Sequence, residues 1–240
     1  MTPMHHRNST KFRFARLFCA ALALCAAAPA VRADVVALYP FSANSLTSTD
    51  TNAQSTATTI ALGSGLTGTN RFATVGNPAP ALRVNTDETD GDAFATAITA
   101  NDFFTFALSP ASGYRFVFQS FTVDLATSAT TFTTNVRLQA SINGTAFVNV
   151  DTITGFSNTT FTAQSFDLTF GNANAAIQNG ASVLLRIVVF DNANNAANYT
   201  AFDNITVNAT LQAIPEPGTT ALLALGSTVA GGAILRRRKR

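Results

Sequence analysis

Apolar and polar residues alternate in short runs between Asp34 and Gln212, and clusters of Asn, Gly and Ser separate the runs. Alternation with period two marks a strand with one buried face, and no stretch here keeps a helical period over a useful length. The pattern predicts strands over Val35 to Phe41, Thr58 to Leu62, Ala81 to Val84, Phe94 to Ile98 and Asp102 to Leu108. It continues over Tyr114 to Leu125, Phe132 to Ile142, Ala146 to Ile153, Ser165 to Phe170, Val183 to Phe190 and Tyr199 to Leu211. Ser42 to Asn70, rich in Thr, Ser and Gly, reads as a loop around the one short strand near Thr58. In the run from Tyr114 the apolar members are Phe116, Phe118, Phe121 and Val123, so the parity changes and a bulge is expected at Gln119-Ser120. Val136, Leu138, Ala140 and Ile142 share one face, and the Asn143-Gly144 that follows is the residue pair of a tight hairpin turn. Ser109 to Gly113 is a turn by residue type.

Strands at this spacing, with no helix between them, imply an all-β fold: an antiparallel β-sandwich of jelly-roll type over residues 34–212. The stretch is long enough for one domain with its own core.

Two longer apolar runs lie outside the pattern. Leu17 to Ala28 carries no charge, follows Arg7, Lys11, Arg13 and Arg16, and precedes Val31-Arg32-Ala33, with small residues at a cleavage spacing. Those are the three regions of a secretory signal peptide over 1–33, and the run is too short for a membrane span. Export would then use the Sec translocon and signal peptidase, and the mature chain would begin at Asp34.

The second run, Thr219 to Leu235, is also uncharged; as a helix it covers about 26 Å, the short end of a membrane span. Pro215-Glu216-Pro217 precedes it, stiff and extended because each proline fixes φ and restricts the residue before it. Arg236, Arg237, Arg238, Lys239 and Arg240 follow it and would stay in the cytoplasm, with the domain on the far side. Residues 213–240 thus read as a tail with a single transmembrane helix, serving either as a plain anchor or as a processed signal.

Composition then narrows the chemistry. Cys19, Cys25, His5 and His6 all precede Asp34, so the mature domain has no Cys and no His, and the chain has no Trp. It can form no disulfide, no Ser-His-Asp or Cys-His nucleophile, and no zinc site built on His or Cys. Glycoside hydrolysis usually needs two facing carboxylates, yet Glu88 is the sole glutamate outside the tail and no Asp pair is marked by context. A non-enzymatic protein is expected, with an Asp-dependent hydrolase as a minor alternative.

Charge changes the picture again. The whole chain reads +2, but ten of its fifteen basic residues lie in the two ends. Between Asp34 and Asp203 five arginines, no lysine and twelve acidic residues remain, a formal charge of about −7. Such a domain lacks the clustered basic surface that nucleic acid requires.

No cofactor is expected, with structural calcium as the one candidate. Asp87, Glu88, Asp90 and Asp92 offer hard oxygen donors, although their spacing does not match an EF-hand loop and a solvated acidic turn is the simpler reading. Asp203, with Asp191, is a second candidate by analogy with jelly rolls that hold a structural ion near the last strand; the simpler reading is an Asp bonded to a strand end. Tyr199, beside the Asn192 to Asn198 cluster, is the candidate platform for a sugar, because most Phe at strand spacing belong to a core. Thr-rich strand faces leave an ice-binding surface as a further minor alternative, without a regular T-x-T repeat to support it.

Pro215-Glu216-Pro217, the short apolar helix and the terminal Arg cluster resemble the PEP-CTERM sorting signal. The resemblance implies a Gram-negative bacterium that makes extracellular polysaccharide. It also implies recognition by an exosortase, a membrane cysteine transpeptidase that cleaves near the motif after a transient inner-membrane stage. Pro215, Glu216 and Pro217 would be substrate residues. Phe103 to Phe106, Tyr114 to Phe116 and Phe121 to Val123 look like the jelly-roll domains often found ahead of such tails. Phe202 to Val207 is similar to the last strand of carbohydrate-binding jelly rolls and laminin-G-like sandwiches. The expected function is a structural or adhesive protein of the cell surface or exopolysaccharide layer, as in a biofilm matrix; the alternative is a carbohydrate-binding module with a defined glycan.

Overall fold

The computed structural model describes residues 33–66, 72–73, 76, 78, 80–85, 93–168, 182–191 and 198–214. In chain order they form β1 (Asp34–Tyr39), β2 (Ser55–Ala57), β3 (Ala61–Leu62), β4 (Phe72–Ala73), β5 (Ala81–Val84), α1 (Phe94–Ala100) and β6 (Phe103–Pro110). There follow β7 (Tyr114–Thr127), β8 (Thr134–Ile142), β9 (Val148–Phe156), β10 (Thr162–Phe166), β11 (Val183–Asp191) and β12 (Thr200–Ala213).

The strands make two antiparallel sheets. The first runs β10-β7-β12-β5-β4, with β1 sharing the β5 edge of β12. The second runs β2-β6-β11-β8-β9, with β3 sharing the β2 edge of β6. The pairings β5 with β12, β6 with β11, β7 with β10 and β8 with β9 describe one long antiparallel ribbon folded over on itself, which is the winding of a jelly roll. The tip of that ribbon is the Asn143-Gly144 turn. Both residues have positive φ, 51° and 75°, and the Thr145 N–H bonds the Ile142 carbonyl at 3.0 Å, as a primed hairpin turn requires.

The sheets meet through aromatic rings. Tyr39 packs on Phe106 at 4.9 Å between centroids, Phe104 on Phe202 at 5.1 Å, and Phe106 on Phe121 at 6.2 Å. In each pair one ring comes from each sheet, so the inward positions of the alternating strands form a single core. Val136, Leu138 and Ala140 are fully buried in it and Ile142 packs at its edge. The expected bulge is present: Asn208 pairs with Ser120 and Ala209 with Phe118, so Gln119 is the extra residue.

Several expectations change. Phe94 to Ile98 is not a strand but the start of α1. In this Ala-rich segment Phe94 and Ile98 lie four apart, so a run of seven fits both periods and alanine propensity favours the helix. Asn101 ends it at φ 67°, and the Asp102 N–H returns to the Ala97 carbonyl at 2.8 Å. The single strand near Thr58 is two short ones, β2 and β3, on either side of Thr58, whose N–H still bonds the Ala107 carbonyl. The short β4, on β5, was not expected. Pro110, expected in a turn, closes β6 opposite Ser55.

The strand expected over Ser165 to Phe170 lies earlier, as β10, and has ended before Asp167 and Leu168. The signal peptide, with its cleavage site up to Arg32, the acidic turn, residues 169–170 and the tail from Pro215 onward lie outside the described residues. Among the described residues no helix is long and apolar enough to cross a membrane.

Candidate functional site

Of the tail, the structure describes only the point of departure. β12 runs to Ala213, and the Ile214 N–H bonds the Gly113 carbonyl at 2.7 Å, beside the β6–β7 turn. The Pro215-Glu216-Pro217 tripeptide therefore begins directly where the sheet ends. Arg236 to Arg240 lie outside the described residues, as do Asp87, Glu88, Asp90 and Asp92.

Asp203 is fully buried at an irregularity in β12. β12 pairs with β5 up to Phe202 and with β1 from Ile205, so one edge changes partners across Asp203-Asn204. On the other edge Asp203 opposes Asp124 and Thr206 opposes Thr122, which leaves one extra residue on β12. Asn204 takes up the bulge at φ 48°, a left-handed conformation that Asn tolerates. Its N–H donates to Asp203 Oδ1 at 2.8 Å and its side-chain amide to Asp124 Oδ2 at 2.9 Å. Asp203 is thus tied into the strand it belongs to. Asp191 stands in the other sheet, in register with Thr134. Among the described residues no three of His, Cys, Asp and Glu converge as a metal site would require.

Tyr199 is half-buried at the start of β12, and the Arg83 guanidinium lies 4.0 Å above its ring centroid. A cation therefore occupies one ring face. The Tyr199 N–H bonds Ser128 Oγ at 3.3 Å, and its carbonyl accepts the Ser128 N–H at 3.1 Å. Asn85 Nδ2 donates to the Asn198 carbonyl at 2.7 Å, so this corner is pinned by polar contacts.

Sequence reasoning did not single out Arg137 and Arg186, which the structure sets on the outer face of the second sheet. They are diagonal neighbours, since Arg186 opposes Gln139 and Arg137 opposes Val188. Each is held in the same way. Arg186 Nε donates to Gln139 Oε1 at 2.8 Å, with the guanidinium 3.8 Å from the Phe147 centroid and 5.0 Å from that of Phe103. Gln139 is oriented in turn by its amide bond to Asn149 Oδ1 at 2.7 Å. Arg137 Nε donates to Thr152 Oγ1 at 2.9 Å, with the guanidinium 4.1 Å from Phe94 and 5.4 Å from Phe190. Partial burial lowers the pKa of Arg186 from its ordinary value, and the guanidinium remains charged. The signal available beforehand was scarcity: these are two of five arginines in a lysine-free domain.

Residues 213–239 match the PEP-CTERM protein-sorting motif. No curated protein matches the chain in sequence. Among solved structures, the family 29 carbohydrate-binding module CBM29_1 from Piromyces equi is similar at 12% identity and TM-score 0.35, covering 75% of this chain and 91% of that one. A Stig cyclase, Fisc, from Fischerella sp. TAU is similar at 12% identity and TM-score 0.32, covering 79% and 94%. TmCBM61, solved with β-1,4-galactotriose, is similar at 11% identity and TM-score 0.26, covering 65% and 88%. None of these scores reaches 0.5, so the likenesses carry no functional argument.

Proposed function

Taking the sorting motif at residues 213–239 as the premise, we propose that the chain is an exported, non-enzymatic protein of the cell surface or extracellular matrix. An exosortase would act on Pro215, Glu216 and Pro217 while the 219–235 segment holds the chain in the inner membrane. The released sandwich would then serve as a structural or adhesive component of the polysaccharide layer. The motif is the observation that carries this reading. Composition supports it, since a domain without His or Cys lacks the usual nucleophilic and zinc chemistries.

Intact mass of the protein from its own host, beside a strain lacking the exosortase, tests the proposal. The expected product begins near Asp34 and ends near Pro215, and the deletion strain retains the tail to Arg240. A chain that ends at Arg240 in both strains would reduce the tail to a plain anchor and remove the main support for a matrix role.

A further inference from the structure

The two clamped arginines sit in an unusual electrostatic setting. The domain carries about −7, yet its second sheet presents a cationic outer face. The outward positions of β6 are Phe103, Thr105, Ala107 and Ser109, and those of β11 are Leu184, Arg186, Val188 and Phe190, with Val188 buried and Phe94 of α1 packed on Phe190. On β8 they are Asn135, Arg137, Gln139 and Ser141, with Asn149 and Thr152 beside them on β9. Asp151 shares register with Leu138, whose parity is inward, and so does not stand at an outward position of this sheet.

The clamps also decide which part of each guanidinium is offered. Phenylalanine rings lie against its flat surfaces, and a neutral neighbour in register takes Nε. Among the described residues, no hydrogen bond or ion pair engages the terminal nitrogens of Arg137 or Arg186. Those nitrogens form the planar edge that receives a carboxylate in two parallel bonds. Because ring packing and the Nε bond already fix the geometry, little side-chain entropy remains to be lost on binding.

We propose that this outer face is a docking surface for a carboxylated polysaccharide, with Arg137 and Arg186 receiving its carboxylates. The exposed Asn149 extends the face as an amide partner for sugar hydroxyls, and the Phe103 and Phe147 rings as apolar contacts. The proposal rests on the matrix reading for the choice of a polysaccharide, and on charge complementarity for the choice of an acidic one. On a domain that repels polyanions overall, a face carrying two guanidinium groups selects where such a chain lies.

The test uses the full-length chain in detergent, with Arg236, Arg237, Arg238, Lys239 and Arg240 changed to Gln so that the tail does not bind polyanions. The probes are oligogalacturonate, the same oligomer with its carboxyls reduced to alcohols, and a sulfated glucan. Saturable binding to oligogalacturonate is expected, about tenfold or more weaker in Arg186→Gln and in Arg137→Gln, since each loses charge-assisted bonds. Arg186→Lys should bind more weakly than wild type although it keeps the charge, because it lacks the planar fork. Arg115→Gln, on the other sheet, should bind as wild type. The reduced oligomer should not bind the unsubstituted face, and this arm does not depend on the folding of any variant. Equal binding of the acidic and reduced oligomers overturns the proposal, as does an equal loss in Arg115→Gln. Preference for the sulfated glucan overturns the choice of carboxylate. The mass measurement on tail processing is independent, so failure of binding and failure of sorting remain distinguishable.

Discussion

Tyr39, on β1 of the first sheet, donates its hydroxyl hydrogen to the Thr58 carbonyl at the edge of the second, at 2.6 Å. Thr58 is itself held to β6, its N–H on the Ala107 carbonyl at 2.9 Å and its Oγ1 accepting the Ala107 N–H at 2.8 Å. The Tyr39 ring packs against Phe106 from the same strand. One side chain thus adds a directional bond to a largely apolar interface, as Thr200 does where its hydroxyl donates to Thr134 Oγ1 at 3.0 Å.

Tyr39→Phe should keep the ring packing and cost about 1–3 kcal/mol, because a poorly solvated carbonyl loses its donor. Denaturant unfolding of both proteins measures this. Burial, and secondarily the Asp50 carboxylate, push the Tyr39 hydroxyl well above the ordinary tyrosine value. The unfolded chain then loses this proton at lower pH than the folded one. The contribution of Tyr39 is therefore intact below about pH 10 and declines as pH rises above it. Tyr39→Phe should remove that share of the alkaline decline; identical pH profiles would show that the hydroxyl is not protected by folding.

The bulge at Asn204 predicts an order among substitutions. Asn204→Val places a β-branched residue at φ 48° and removes the bond to Asp124, for a loss of about 1–3 kcal/mol. Asn204→Gly keeps the backbone comfortable and loses side-chain bonding alone, so it should be the milder change. A Val variant as stable as the Gly variant would show that the left-handed conformation is not needed there.

Phe104 and Phe202 meet edge to face across the sheets, 5.1 Å apart at 85°. Each change to Ala should cost about 3–5 kcal/mol, as for other buried phenylalanines. The double variant should lose less than the two together, by about 0.5–1.5 kcal/mol, the coupling of a ring pair. Full additivity in chemical denaturation would mean that the rings act only through the area each buries.

Asp203 separates a structural role from a calcium role. If it serves the bulge through the Asn204 N–H, Asp203→Ala lowers stability by about 1–3 kcal/mol, equally in excess chelator and in millimolar calcium. A calcium-dependent gain in wild-type melting temperature that disappears in Asp203→Ala would make Asp203 a ligand.

Much of the strand inventory was legible because parity is a local property. The bulge at Gln119 showed as a shift in the Phe spacing, and Asn143-Gly144 as a pair that accepts left-handed angles at low cost. The errors fall where the pattern was short. Seven residues from Phe94 satisfy both periods; alanine propensity leans to the helix, and docking against Phe190, 5.7 Å away between rings, fixes it. β4 spans two residues and has no period to read. At the candidate sites, Tyr199 reads in the sequence as an aromatic beside a polar loop, but the Arg83 above it comes from β5 and is invisible in the local sequence.

The sequence alone carries the sorting motif and the strand faces. The motif match over 213–239 rests on the order and spacing of residues along the chain, which needs no fold to be read. Period-two alternation likewise states which side of a strand is buried. It does not state which strand lies alongside, because burial is satisfied by any apolar surface and carries no direction. That choice belonged to the tertiary structure. It rolled the ribbon so that β6 meets β11 and β11 meets β8, and so brought Arg186 to Gln139, Phe103 and Phe147. The cationic face exists only once residues distant in sequence share one side of a sheet.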